Sequence, residues 1–356
     1  AGDNKTCTIT NEEKLTHLTL VKTVTNDDGG QALATAWTLT ATGPTTISGK
    51  TGDASITNAT VNSGTYTLSE SGGPSGYTAG NWSCTGGSLL GNQITLSSGQ
   101  SVTCTITNDD IAPTLTLIKE VINNNGGTAT NSDWVLYADG SDRPFYNWGP
   151  KVGPYTVKAG VEYTLTETNK PGYSASSWVC TGGGTLVGNK ITLALNENVT
   201  CTITNDDIQP KLTVTKVVSG GDKQVSDFPL FVDGNPITSG QQIGINAGQH
   251  TVSETNLPHY SGVISGDCAT DGKITLNPGD VKSCTITNTY VPYCGDGHKD
   301  TGEECDGTEG VTSGQNFCTQ NCTLVPIYDG AHSCPEGMVK SQNPVWSGTI
   351  GSRDPD

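Results

Sequence analysis

Three polar side chains recur in this sequence where the surrounding pattern calls for apolar ones. "CTITN" occurs four times, at 7–11, 104–108, 201–205 and 284–288. "LTLVK", "LTLIK" and "LTVTK" end on Lys22, Lys119 and Lys216, and "YTLSE", "YTLTE" and "HTVSE" end on Glu70, Glu167 and Glu254. Side chains two apart in a strand share a face. Asn108 therefore lies with Cys104 and Ile106, Lys22 with Leu18 and Leu20, and Glu70 with Tyr66 and Leu68. The same parity holds for Asn205, Lys119 and Glu167, and again for Asn288, Lys216 and Glu254. Each set aims one amine, one carboxyl and one carboxamide at a core.

Two chemistries fit such a set. The first is a buried Lys–Glu ion pair capped by an amide, tolerated although seldom better than apolar packing. The second is covalent. Burial favours the uncharged forms of an amine and an acid. A neutral amine held against a carboxamide is a nucleophile at high effective concentration. Attack on the side-chain carbonyl, with the glutamate moving protons, expels ammonia and leaves a Lys–Asn isopeptide bond.

The elements that must position these groups repeat. The motif asparagines recur at intervals of 97, 97 and 83 residues, and the motif lysines at intervals of 97. "AWTLTATG", "DWVLYADG" and "DFPLFVDG" keep the same order between them. Residues 16–108, 113–205 and 210–288 are three copies of one unit, the third shortened, and residues 1–11 read as the last strand of an upstream copy. The expected division is 12–109, 110–206 and 207–290 for the repeats, 291–334 for a cysteine-rich module and 335–356 for a tail of unassigned role. Short alternating runs punctuated by Gly, Asn and Pro predict all-β, Ig-like antiparallel sandwiches of roughly seven strands. The linkers "DDIAPTL" and "DDIQPKL" are short and carry Pro113 and Pro210, which predicts a rod of domains.

Composition narrows the function. Charged residues are 15% of the 356 and aromatics 6%, a balance that suits strands and turns. The net charge of −17 leaves nothing basic to neutralise phosphates and argues against nucleic acid. No apolar run is long enough to span a bilayer. No signal peptide opens the sequence, so a mature chain or a piece of a longer one is expected. Twelve cysteines, none in a C-x-x-C pair, point to an oxidising, extracellular setting rather than to zinc.

The order "LTLVK", then "YTLTETNKPGY", then a terminal "CTITN" resembles the collagen-adhesin B-type or SpaA-type pilin domain over about residues 16–288. The resemblance implies a prealbumin-like sandwich in surface proteins and pili, mostly of Gram-positive bacteria. It implies bonded pairs Lys22–Asn108, Lys119–Asn205 and Lys216–Asn288, with Glu70, Glu167 and Glu254 as the catalytic acids. The third copy departs from the pattern, since "NLPHY" lacks the Gly before Tyr260.

Each copy carries two cysteines, and the expected bridges are Cys84–Cys104, Cys180–Cys201 and Cys268–Cys284. Trp82 and Trp178 share the inward face with their cysteines and are expected to pack there. Cys7 has no such partner. It is either a remnant of an upstream copy or part of a strand, 1–11, donated to a neighbouring subunit. After Asn288 the segment "CGDGHKDTGEECDG…C…C" resembles a small cysteine-rich extracellular repeat, with Cys294, Cys305, Cys318 and Cys322 as disulfide partners in open connectivity. Cys334 is left over. Asp296, Glu303, Glu304 and Asp306 could offer oxygens to Ca²⁺, as could the "NDD" runs at 108–110 and 205–207, although a solvated acidic turn is the stronger reading of those runs. No other cofactor is indicated.

The function expected is the stalk of a bacterial surface adhesin or pilus-like fibre, with neighbouring copies or subunits as partners. The alternatives are a fibre subunit joined by donor-strand exchange and a module binding a glycan or matrix ligand. For the last, the insertion "DGSDRPFYNWGPKVGPY" gathers Arg143, Phe145, Tyr146 and Trp148. A turnover enzyme finds no support, because the five His are not arranged with a Ser or Cys nucleophile.

Overall fold

The computed structural model describes residues 2–10, 12, 14–142, 144–149, 151–313 and 315–326, without the side chains of residues 147 and 148. The chain divides into two compact units. One comprises residues 1–211 with 244–248 and 275–281; the other comprises 212–243, 249–274 and 282–356.

In the first repeat, one sheet runs in the order Ala59–Val61, Thr16–Thr25, Ser101–Asp110, Tyr77–Ala79, with Ser83–Thr85 also on Ser101–Asp110. The other runs Ile47–Gly49, Trp37–Thr42, Gly64–Gly72, Gln93–Leu96, Ser88–Leu90. The second repeat repeats this plan with its first strand Thr114–Ile122 beside its last, Asn198–Asp207. The third has two four-stranded sheets, with Lys211–Ser219 beside Val281–Tyr290. Eight to ten short strands per repeat replace the seven expected, because turns cut the longer runs.

Within this antiparallel architecture one ladder differs. The first and last strands of the first two repeats pair in parallel, with Lys22 opposite Ile106 and Val24 opposite Asn108, and Lys119 opposite Ile203 and Val121 opposite Asn205. A parallel neighbour requires a long crossover, and here the rest of the repeat supplies it.

Alternation decides what is buried. Along Thr16–Thr25 every second side chain from Thr16 to Lys22 is buried, after which the strand leaves the core. Leu18, Leu20, Leu39, Tyr66, Leu68 and Ile106 build the first core, and Leu115, Leu117, Leu136, Tyr163, Leu165 and Ile203 the second. Trp178 is buried with Cys201, and Trp82 packs half-buried against the cluster that holds Cys104.

The last strands do not stop at the motif asparagine. They run on to Asp110 and Asp207, and these aspartates are buried. The Asp110 carboxylate accepts backbone N–H groups from Asp27, Asp28 and Gly30 at 2.6–3.1 Å. Asp207 does the same for Asn124, Asn125 and Gly127. The last aspartate of each "NDD" run is therefore a buried loop clamp, while Asp109 before it is exposed. Carboxylates of Asp27, Asp28 and Asp110 do converge, with the Asp110 oxygens engaged by backbone amides.

Candidate functional site

Each repeat brings its lysine, glutamate and asparagine together. The lysine leaves the first strand, the glutamate comes from the strand of the facing sheet, and the asparagine from the last strand. Lys22 Nζ stands 2.8 Å from Glu70 Oε2, Lys119 Nζ 2.7 Å from Glu167 Oε2, and Lys216 Nζ 2.5 Å from Glu254 Oε2. All three lysine side chains are 0% exposed, and the glutamates 14%, 10% and 6%. Asn108, Asn205 and Asn288 are buried as well. In the first repeat Asn108 Nδ2 donates to Glu70 Oε1 at 2.8 Å, so one carboxylate touches both the amine and the amide.

Two features bear on reactivity. Burial pushes the amines of Lys22, Lys119 and Lys216 below the ordinary lysine value, and the neighbouring glutamate only partly offsets this. Desolvation penalises the charged ammonium, which moves the balance toward the free amine. Second, the carbonyl oxygens of Asn108, Asn205 and Asn288 are buried and find no hydrogen-bond donor among the described residues. An unmet buried acceptor costs about 1–3 kcal/mol. A glutamic acid, as opposed to a glutamate, could donate to that oxygen once the amide turns over.

The lysines also lie over aromatic rings: Lys22 over Trp37 at 5.0 Å, Lys119 over Trp134 at 4.8 Å and Lys216 over Phe228 at 4.6 Å. These rings keep water from the amine. Sequence reasoning placed them as repeat landmarks without giving them this role. The signal was their fixed distance from the lysine in the first two copies. Behind the lysines, the Lys22 N–H donates to Thr51 Oγ1 at 2.6 Å and the Lys216 N–H to Ser239 Oγ at 2.8 Å.

Residues 13–106 and 110–203 each match the family model SpaA_2, the prealbumin-like fold domain. The chain belongs to this family. Among solved structures, the chain is similar to the TIE protein of Bacillus anthracis at 15% identity, covering 78% of this chain and 51% of that one with a TM-score of 0.43. This chain thus spans about half the length of that protein. Two B repeat units of the collagen-binding protein of Staphylococcus aureus match at 14% identity, with 78% of this chain and 76% of that one covered and a TM-score of 0.24. The major pilin T-13 of Streptococcus pyogenes matches at 16%, with 56% and 98% covered and a TM-score of 0.25. No curated relative matches the sequence.

The disulfides of the SpaA_2 repeats join cysteines that face each other across the ladder, Cys84–Cys104 and Cys180–Cys201. Cys268–Cys284 closes the third. In the cysteine-rich segment the connectivity is Cys294–Cys322 and Cys305–Cys318. Cys7 is exposed and has no disulfide partner among the described residues, while Cys334 lies outside them. The acidic groups proposed for Ca²⁺ brace these loops. Asp306 accepts the Gly295 and Asp296 amides, Glu303 that of Asp300, Glu304 that of Leu324, and Asp296 that of His298. Glu303, Asp306 and Cys322 do converge, but the Cys322 sulfur is committed to its disulfide.

In the insertion of the second repeat, Phe145 enters the core and Tyr146 stays 64% exposed. Arg143 and the Trp148 side chain lie outside the described residues. Among the described residues, no helix is long and apolar enough to cross a membrane.

Proposed function

We propose that this chain is an extracellular structural stalk of a bacterial surface adhesin or pilus-like fibre, each of whose repeats is locked by a self-formed Lys–Asn isopeptide bond. The observation that carries the reading is the carboxylate of Glu70 touching Lys22 and Asn108 in one water-poor core. Membership of the SpaA_2 family and five disulfides among the described residues support the same setting, since disulfides persist outside the reducing cytosol.

The step balances as follows. The lysine ammonium passes a proton to the glutamate. The free amine attacks the asparagine Cγ, and the glutamic acid donates to the carbonyl oxygen as charge gathers there. Collapse breaks the Cγ–Nδ2 bond. The nitrogen leaves as ammonia, taking the proton relayed by the glutamate from the attacking amine. As the carbonyl re-forms its oxygen returns its proton to the glutamate, and that proton departs with the ammonia as ammonium, so one N–C bond forms, one breaks, and the glutamate is regenerated. Every chain reacts once, so this is maturation and not turnover.

The test is the intact mass of the purified chain before and after reduction. A deficit of three ammonia masses that survives reduction, assigned by peptide mapping to Lys22–Asn108, Lys119–Asn205 and Lys216–Asn288, is the expected result. A mass that differs from the sequence only by the disulfide hydrogens would overturn the covalent reading and leave three buried polar sets.

A further inference from the structure

The third repeat lacks the clamp that braces the other two. Two residues beyond the motif asparagine, Asp110 and Asp207 gather the amides of the first loop. The matching residue of the third repeat is Tyr290, two beyond Asn288 on the strand Val281–Tyr290. A phenol hydroxyl cannot take several amides as a carboxylate does, so this strand end must be held in another way.

A line of rings holds it. In each repeat the ring against the motif lysine meets a tyrosine edge to face: Trp37 with Tyr77 at 5.4 Å, Trp134 with Tyr173 at 5.3 Å, and Phe228 with Tyr260 at 5.2 Å. Among the described residues, only the third repeat carries the line further. Tyr260 meets Tyr290 at 5.3 Å, and the Tyr290 hydroxyl donates to Asp296 Oδ2. Gly221, at φ 71, lets the first loop close on these rings, since a Cβ there would sit 2.9 Å from the Tyr290 ring.

Asp296 belongs to the cysteine-rich segment and is fixed within it. Asp306 accepts the N–H groups of Gly295 and Asp296, Asp296 Oδ1 accepts that of His298, and Cys294 nearby is joined to Cys322. A second tie runs alongside. The Val291 N–H donates to the His259 carbonyl at 2.7 Å, and the His259 ring stacks on Tyr293 with centroids 3.5 Å apart. Contacts thus lead from a disulfide-braced loop through Tyr290, Tyr260 and Phe228 to Lys216 Nζ, 4.6 Å from the Phe228 centroid.

We infer that Tyr290 and Asp296 are positioning residues for the third cross-link, the cysteine-rich segment doing for Asn288 what the aspartate clamps do for Asn108 and Asn205. Tyr290 acts on both partners. It shares a strand face with Asn288, two residues away, and its ring supports the rings that cap Lys216. Edge-to-face rings hold one another in a preferred geometry, and attack of an amine on a carboxamide is lost with small displacements. The inference rests on the cross-linking reading.

The experiment follows the joining of the Lys216 and Asn288 peptides by timed peptide mapping of the full chain, made in an oxidising cell-free extract. The Lys22–Asn108 bond of the same molecule is the internal control. Asp296→Ala should slow the third bond at least about tenfold and leave the first unchanged. Asp296→Asn keeps an oxygen to accept the phenol and should restore most of the rate, which a general loosening of the segment would not allow. Tyr290→Phe should match Asp296→Ala, and the double variant should be no slower than either, because both lose one hydrogen bond. An unchanged third bond in Asp296→Ala, equal slowing of all bonds, or an Asp296→Asn chain as slow as Asp296→Ala would overturn the inference. A native chain whose Lys216 and Asn288 peptides never join would instead remove the cross-linking reading for this repeat. Hydrogen exchange at 284–290 in an Asn288→Ala chain then decides: Asp296→Ala should speed it at least about tenfold and Asp296→Asn should not, and no difference between them overturns the inference.

Discussion

At the residue scale, the cross-linking set is defined by who holds the proton. Lys22 Nζ and Glu70 Oε2 stand 2.8 Å apart, and the proposed reaction needs the amine free and a proton at hand for the carbonyl oxygen. Acid holds the lysine as ammonium and removes the nucleophile. Alkali removes the proton that the step must deliver to the carbonyl. Because burial lowers the Lys22 amine from its ordinary value of 10.5, the alkaline limb begins below that value. The rate of ammonia release by freshly refolded, unlinked chain should therefore trace a bell against pH, whereas a rate rising steadily to pH 11 or so would show that no acid is needed. Glu70→Gln should leave the first repeat unlinked, the mass deficit falling by one ammonia. Stability carries the matching sign. In an Asn108→Ala chain, the unfolded state binds more protons than the folded state between the lowered lysine value and 10.5, so this group makes unfolding harder as pH rises through that window. A second residue-scale test concerns Gly262, which lies opposite Asn288 where the other repeats have Ala79 and Ala175. A methyl added there would sit 2.8 Å from Glu254 Oε1 and 2.9 Å from Asn288 Oδ1. Gly262→Ala should slow or abolish only the third bond, read as a deficit of two ammonia masses with the Lys216 and Asn288 peptides unjoined.

At the element scale, the clamp of the last strand on the first loop is what holds the motif asparagine in register. Asp110 gathers three amides, and its loss leaves them without an acceptor. Asp110→Ala should cost about 3 kcal/mol in the first repeat, seen as lowered unfolding midpoints and as faster hydrogen exchange at Asp27, Asp28 and Gly30 before exchange elsewhere in the sheet. Much of this scale was legible in the sequence. Alternation alone turned Lys22, Glu70 and Asn108 inward, and the repeat distance paired Cys84 with Cys104. Asp110 was legible too, because it shares the parity of Asn108, but its charge suggested solvent. What could not be read was the parallel ladder between the first and last strands. Local patterns carry a strand's two faces, while register between strands some eighty residues apart is fixed only by packing. For the same reason the choice of Cys294–Cys322 and Cys305–Cys318 among three connectivities, and the placing of Trp37 beneath Lys22, had to come from the fold.

At the scale of the whole molecule, the parallel pairing decides how a repeat meets tension. In the first repeat the chain enters on Thr16–Thr25 and leaves on Ser101–Asp110, two neighbours in one sheet. A pull along the chain loads those two strands against each other in shear. An isopeptide bond from Lys22 to Asn108 would lie directly across them, so force would pass from one strand to the other without reaching the sandwich. The roughly 85 residues between would be shielded, a length of about 280 Å when extended at about 3.3 Å per residue. The Cys84–Cys104 bridge closes only a short loop inside that span and cannot give the same protection. Single-molecule extension of the chain under reducing conditions should therefore release no such length from a linked first repeat. Asn108→Ala should restore one release of about that size, and Asn205→Ala a second from the next repeat. Full extension of the unmutated, reduced chain would mean that its load is carried by hydrogen bonds alone, and the stalk would then be a spacer and not a tether.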